Sequence, residues 1–150
     1  KEPLVIIDGA HNPPKLEYLR KKIEKKKYKR LILVFAIAAN KDYRKCLKSI
    51  LPIADKIYIT RFLKQTRKSA NLRELREIAR TQRSKLPIVI HIDPWKALKD
   101  ALNELEKGDL LLITGSFFLA GELRTKWTNE EAILKTRRSF KKPNGKNGKK

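Results

Sequence analysis

Five short apolar runs, at 4–7, 31–36, 57–60, 88–92 and 110–114, are separated by stretches with helical periodicity. That alternation constrains the chain more than any other feature. The runs are dense in Ile, Leu and Val and are continuous, not alternating; His91 is the one Asp, Glu, His, Lys or Arg within them. A strand covered on one face alternates apolar with polar, whereas a strand covered on both faces is apolar throughout. Runs of this kind alternating with helices give a parallel sheet joined by right-handed crossovers.

The intervening helices are legible from their stripes and caps. Leu16, Leu19 and Ile23 form one apolar stripe before a run of solvated lysines. Asp42 is placed to cap a helix whose Tyr43, Cys46, Leu47, Ile50 and Leu51 share a face. Asn71 with Glu74 makes a start of the capping-box type, ahead of Leu72, Leu75 and Ile78. Asp93 followed by Pro94 opens the next helix, which buries Ala97, Leu98, Ala101, Leu102 and Leu105, and Gly108 is expected to stop it. The expected fold is therefore α/β: a Rossmann-like, mostly parallel sheet of about five or six strands flanked by helices.

The chain has 150 residues, enough for one domain with a substantial core. The expected division is a folded domain over 1–131 and a basic tail over 132–150, read as disordered from its glycines, proline and lysines. The tail holds eight Lys or Arg and no Asp or Glu, so most of the net charge of +21 sits on the folded part. Such a balance favours anionic partners: nucleotides, carboxylates or RNA. It is equally the mark of a lysine-rich solvated surface. Cys46 is the single cysteine, which excludes a disulfide framework and a cysteine-built metal site and fits a reducing, cytoplasmic setting. No apolar run approaches the roughly 20 residues of a membrane helix, and no membrane association is expected. The sequence has no Met, and an initiator is not normally trimmed before Lys1, so the expectation is a piece of a longer chain.

In an open parallel sheet, ligands bind beyond the carboxyl ends of the strands. After the first run stand Asp8, Gly9, Ala10, His11 and Asn12, ahead of two prolines. Asp8 can accept from a ribose, while His11 and Asn12 can donate to a carboxylate or phosphate. Asp8 and Asn12 could instead only organise the turn and cap the following helix. After the second run comes Lys41, beside the capping Asp42. After the third comes Thr60-Arg61, where a solvated arginine is the default. After the fifth comes Thr114-Gly115-Ser116. A Gly-Ser turn opening a helix offers backbone N–H groups at the positive end of the helix dipole, a ready anion site, and Ser116 can cap that helix at the same time. No phosphate loop of the G-x-x-x-x-G-K-[ST] type, no G-x-G-x-x-G fingerprint and no serine nucleophile elbow occurs. His91 and Cys46 sit on apolar segments and read as structural, and Trp95 and Trp127 as packing.

The run Asp8-Gly9-Ala10-His11-Asn12-Pro13 resembles the D-G-A-H-N-P signature of the folylpolyglutamate and dihydrofolate synthases, within the wider Mur ligase group. The order of later segments is similar too. Residues 35–42 resemble the family's G-x-x-x-D-K-D segment, although Asn40 stands where the family usually has Asp and leaves that turn less acidic. Thr60-Arg61 resembles its T-R element, and Asp93-Pro94 with Ala97-Leu98 its D-P-x-x-A-L helix start. Thr114-Gly115-Ser116 through Gly121-Glu122-Leu123-Arg124 resembles its T-G-S-x-x-x-x-G-E-x-R ending. The likeness covers about 4–125.

The resemblance implies the C-terminal domain of an ATP-dependent amide (carbon–nitrogen) ligase that adds L-glutamate to a folate. ATP and magnesium would be held mainly by a central domain that this sequence does not contain, and the folate would be bound with the help of an N-terminal domain. It implies that Asp8 and Asn12 contact the ATP ribose. His11, Lys41 and Ser116 would hold the carboxylates of the incoming glutamate. No catalytic residue and no metal ligand is expected within this chain, which alone would be inactive for want of the phosphate-binding loop. Two other readings stay open: a basic polyanion- or RNA-binding module, and a stand-alone glutamate- or nucleotide-binding domain without catalysis.

Overall fold

A computed structural model describes residues 2–64 and 66–127. The expected tail at 132–150 lies outside the described residues.

Five strands are present among the described residues: β1 (Leu4–Ile7), β2 (Leu31–Phe35), β3 (Lys56–Ile59), β4 (Ile88–Ile90) and β5 (Leu110–Thr114). All pair in parallel, in the order β1-β5-β2-β3-β4. Five α-helices accompany them: α1 (Pro13–Glu24), α2 (Tyr43–Ile50), α3 (Leu72–Gln82), α4 (Pro94–Glu104) and α5 (Phe117–Arg124). The topology follows from crossover handedness. The chain steps from β1 through β2 and β3 to β4 in one direction, so right-handed connections put α1, α2 and α3 on one face. It then turns back to insert β5 between β1 and β2, which puts α4 on the opposite face.

Burial records the two faces. Leu31, Leu33 and Phe35 of β2 pack with Leu16, Leu19, Cys46, Ile50, Leu75 and Ala79 of the first three helices. Ile32 and Val34 pack with Ala97, Leu98, Ala101, Leu119 and Leu123 of α4 and α5. Both faces of β2 and β5 are therefore sealed, and all their residues are buried. The edge strands β1 and β4 are only half-buried. Burial pushes the Cys46 thiol up to about 11, which suits a core residue and not a nucleophile.

The caps form where the sequence puts them. Asn12, Asp42, Asn71, Asp93 and Ser116 each accept a backbone N–H of the first helical turn. Two boundaries differ from expectation. The fourth strand ends at Ile90, because beyond His91 the edge has no further partner and Asp93-Pro94 already opens α4; Ile92 is exposed. The helix α4 ends at Glu104 instead of running to Gly108. Gly108, at φ +88°, makes the turn into β5, packed on the stem of Lys29. Trp95 and Trp127 lie at the surface, 36% and 45% exposed.

Candidate functional site

The insertion of β5 between β1 and β2 decides where a site can form. The helix after β5 leaves toward one face, while those after β1 and β2 leave toward the other. The loops at these three carboxyl ends therefore splay apart and open crevices.

Backbone hydrogen bonds stitch the three turns together. Asp8 N–H donates to Ile113 O at 2.9 Å, Gly115 N–H to Ala10 O at 3.0 Å, and Ala36 N–H to Thr114 O at 3.4 Å. Gly115 is indispensable to this approach. It sits at φ +106°, and a Cβ there would lie 2.3 Å from Ala36 O and 2.7 Å from the Phe35 ring. Gly9 is tight as well, with the Phe117 ring 3.3 Å from where its Cβ would stand.

Two cavities open at this end. One, of about 480 Å³, is lined by Asp8, Gly9, His11, Lys15, Tyr18 and Phe117 among others. The other, of about 280 Å³, is lined by His11, Asn40, Lys41, Arg67, Gly115 and Ser116, with Phe117 and Phe118 as apolar walls. Neither Asp nor Glu lines the second cavity, so its polar wall is donor-rich and cationic. Phe117, 68% exposed, stands between the two.

The individual side chains are held in defined roles. Asp8 Oδ1 accepts Ala10 N–H at 2.9 Å, leaving Oδ2 free to accept elsewhere. His11 Nδ1 lies 3.0 Å from Gly9 O. If Nδ1 donates there, a carboxylate contact through Nε2 requires the imidazolium. Asn12 Oδ1 caps α1 through Lys15 N–H at 3.0 Å, and Asn12 lines neither cavity. Ser116, 3% exposed, accepts Phe118 and Leu119 N–H at its Oγ and keeps its own proton to donate. Thr60, at the carboxyl end of β3 and 1% exposed, has no hydrogen-bond partner for its hydroxyl among the described residues. Arg61 donates from Nε to Ile92 O at 3.1 Å, tying the ends of β3 and β4 together.

Of the residues flagged from sequence, His11, Lys41 and Ser116 are brought to one cavity and Asp8 to the adjoining one. Arg67 was not flagged. It comes from the connection between β3 and α3, at 60–71, which exceeds the roughly 2–6 residues common in βα loops. That length was the available signal. His91, read as structural, bonds Asp100 at 2.8 Å and stacks on Tyr58. No group of three or more His, Cys, Asp or Glu converges among the described residues.

The fold is a parallel, doubly wound α/β domain with a cavity lined by His11, Lys41 and Arg67 at its switch point. The chain belongs to the Mur ligase family as its glutamate ligase domain, whose family model matches residues 1–117. A probable bifunctional folylpolyglutamate synthase/dihydropteroate synthase of Halobacterium salinarum is 29% identical over 128 residues, which are 85% of this chain and 15% of that protein. The fold matches Mycobacterium tuberculosis folylpolyglutamate synthase complexed with ADP, at TM-score 0.75 and 20% identity, over 84% of this chain and 30% of that one. It also matches a bifunctional folylpolyglutamate synthase/dihydrofolate synthase with Mn, AMPPNP and L-glutamate bound, at TM-score 0.70 and 23% identity, over 84% and 30% of the two chains. This chain thus spans less than a third of the length of these relatives.

Proposed function

We propose that this chain is the glutamate-presenting domain of an ATP-dependent ligase that adds L-glutamate to a folate through an amide bond. The observation that carries the reading is the 280 Å³ cavity in which His11, Lys41 and Ser116 meet at the N-terminus of α5, with no carboxylate in its lining. A dicarboxylate suits such a wall, since ammonium, hydroxyl and helix N–H groups all donate to it. Asp8, beside the adjoining cavity, takes the ribose of ATP through its free oxygen, and Asn12 orders the turn that aims it. ATP phosphates and magnesium are held mainly by other domains. There the γ-phosphoryl group of ATP passes to the folate carboxylate with release of ADP, and the amine of the glutamate held here attacks the acyl phosphate, forming the amide and releasing inorganic phosphate and the amine proton. The electrostatic stabilisation of phosphoryl transfer comes from those domains, so this one binds and orients.

The test uses an enzyme in which this domain is joined to the remaining ligase domains. Charge-assisted contacts contribute about 1.5–3 kcal/mol each. Lys41→Ala or Ser116→Ala should raise the KM for glutamate about 10- to 100-fold and that for ATP much less. Asp8→Ala should do the reverse. A Lys41→Ala enzyme with unchanged glutamate dependence would remove lysine from the site.

A further inference from the structure

The two helical layers carry very different charge. Helices α1, α2 and α3, on one face of the sheet, hold ten Lys or Arg against four Glu. Helices α4 and α5, on the other face, hold three Lys or Arg against three Asp or Glu. Among the helices, the cationic excess therefore belongs to one surface.

The middle helix of that layer is α2. Arg20 Nε of α1 donates to Ser49 O at 2.8 Å, and Gln82 Nε2 of α3 donates to Arg44 O at 3.0 Å, so both neighbours are tied to it. Its buried side consists of Cys46, Leu47 and Ile50. Arg44, Lys45 and Lys48 are left exposed, and no acidic residue occurs in the helix. Arg44 and Lys48 are neighbours one turn apart, about 6 Å along the axis. Arg73 and Arg80 are exposed on α3. None of these five cations makes an ion pair among the described residues, whereas Glu17 and Glu24 of α1 are taken up by Arg20 and Lys21 of their own helix. Nor does any of the five line the two cavities at the carboxyl ends of the strands. Like charges held together this way repel one another, and an anion spanning them relieves that repulsion.

Helices packed about 8–10 Å apart make a broad, shallow layer, which presents cations in rows and not in a pocket. A phosphodiester backbone matches such rows, since a duplex carries one charge per about 1.7 Å of its axis. A lipid headgroup layer is the other broad anionic surface, but helices that lie on it bury apolar side chains in it. Of the large apolar residues exposed among the described residues, Tyr18 alone belongs to these three helices. The same shortage of exposed rings leaves the bases of a single strand little to stack on, which favours a duplex. We propose that the α1–α2–α3 face is a second interaction surface that binds duplex nucleic acid through its phosphates, with Arg44, Lys45 and Lys48 at its centre. The proposal is independent of the reading of the glutamate cavity. Phosphates carry no sequence information, so the surface holds RNA and DNA duplexes alike.

The experiment measures binding of the full chain to a mixed-sequence RNA duplex and to the DNA duplex of the same sequence, by fluorescence anisotropy over a range of salt. Arg44→Ala/Lys45→Ala/Lys48→Ala should weaken both about tenfold or more and lower the slope of log affinity against log salt by about 2–3. The control Lys99→Ala/Lys107→Ala/Lys126→Ala removes the same charge from exposed positions outside this face. It should change affinity by less than about threefold. Arg44→Lys should keep the affinity of the unaltered chain, because a phosphate contact here needs the charge and not the guanidinium fork. In backbone amide NMR of the unaltered chain, the RNA duplex should shift the amides of 43–50 most, and shifts centred elsewhere would overturn the proposal whatever the variants do. Equal losses in the two triple variants would overturn it, because net charge alone would then explain binding. No loss in the α2 variant, or no binding of either duplex, would overturn it as well. A preference of about a hundredfold for one duplex would put base or sugar contacts in place of phosphates and sink the phosphate reading. Phosphatidylserine vesicles that outbind both duplexes through the same three residues would reassign the face to lipid and overturn the proposal.

Discussion

Two glycines of the T-G-S-x-x-x-x-G-E segment look alike in sequence and are held for different reasons. Gly115 combines φ +106° with a Cβ position only 2.3 Å from a carbonyl oxygen. Backbone strain of that kind costs about 1–3 kcal/mol by itself, and overpacking adds to it. Gly115→Ala should therefore lose at least about 3 kcal/mol of stability, seen as a lower urea midpoint. Gly121, within α5, has nothing within 4 Å of where a Cβ would stand. Gly121→Ala should be neutral or should stabilise by up to about 1 kcal/mol, through helix propensity alone. Equal losses at both positions would contradict this account. Ser116 shows the same economy at residue scale: one hydroxyl caps α5 with its lone pairs and keeps a proton for a ligand.

At the scale of elements, the two ends of the sheet are built from opposite chemistry. The carboxyl end gathers cations that make no ion pair among the described residues. The amino end pairs them. Arg30 donates to Asp109 at 2.9 Å and to the Glu104 carbonyl at 2.9 Å, Lys56 reaches Glu104 at 2.8 Å, and Tyr58 donates to the same carboxylate. This network ties β2, β3, α4 and the start of β5. Burial opposes ionisation of Asp109, but hydrogen bonds from Arg30 and from Glu106 N–H outweigh it and hold the carboxyl below its usual range. A depressed folded pKa gives stability that is present above the unfolded value of about 3.9 and is lost as pH falls through the folded value. Arg30→Ala should accordingly cost about 2 kcal/mol at neutral pH. The difference from the unaltered chain should shrink below about pH 4, as Asp109 takes up a proton and no longer needs its counter-charge. Urea unfolding at pH 7 and pH 3 measures both, and a cost independent of pH would show that Asp109 is not the group responsible.

For the whole molecule, the deciding fact is length: the chain covers 15% of the Halobacterium salinarum relative and 30% of the Mycobacterium tuberculosis structure. No phosphate loop occurs in its sequence. Under the proposed function, the chain alone should neither hydrolyse ATP nor extend a folate. Both activities should return when it is joined to the remaining ligase domains. Ligation by the pure chain, followed as amide product, would sink the assignment of phosphate chemistry to other domains. With a net charge of +21, any binding of RNA or other polyanions should fall steeply with salt.

The sequence by itself determined the elements and the two-sided burial of the central strands β2 and β5. Continuous apolar runs, helical stripes and capping residues are local signals, because burial of a strand or a helix face is written into neighbouring positions. It also marked Asp8, His11, Lys41 and Ser116, since each stands in the loop that follows a strand. Only the tertiary structure decided that β5 lies between β1 and β2. Strand order depends on pairing between residues about a hundred positions apart, and no local period encodes it. That order brings the turns at 8–12, 38–41 and 114–116 together and separates the Asp8 cavity from the Lys41 cavity by the Phe117 ring. It was likewise the fold that recruited Arg67, whose loop is fastened beside Lys41 by backbone hydrogen bonds that any residue could make. Bonds indifferent to side chains leave no trace in a sequence, so the basic wall became visible only in three dimensions.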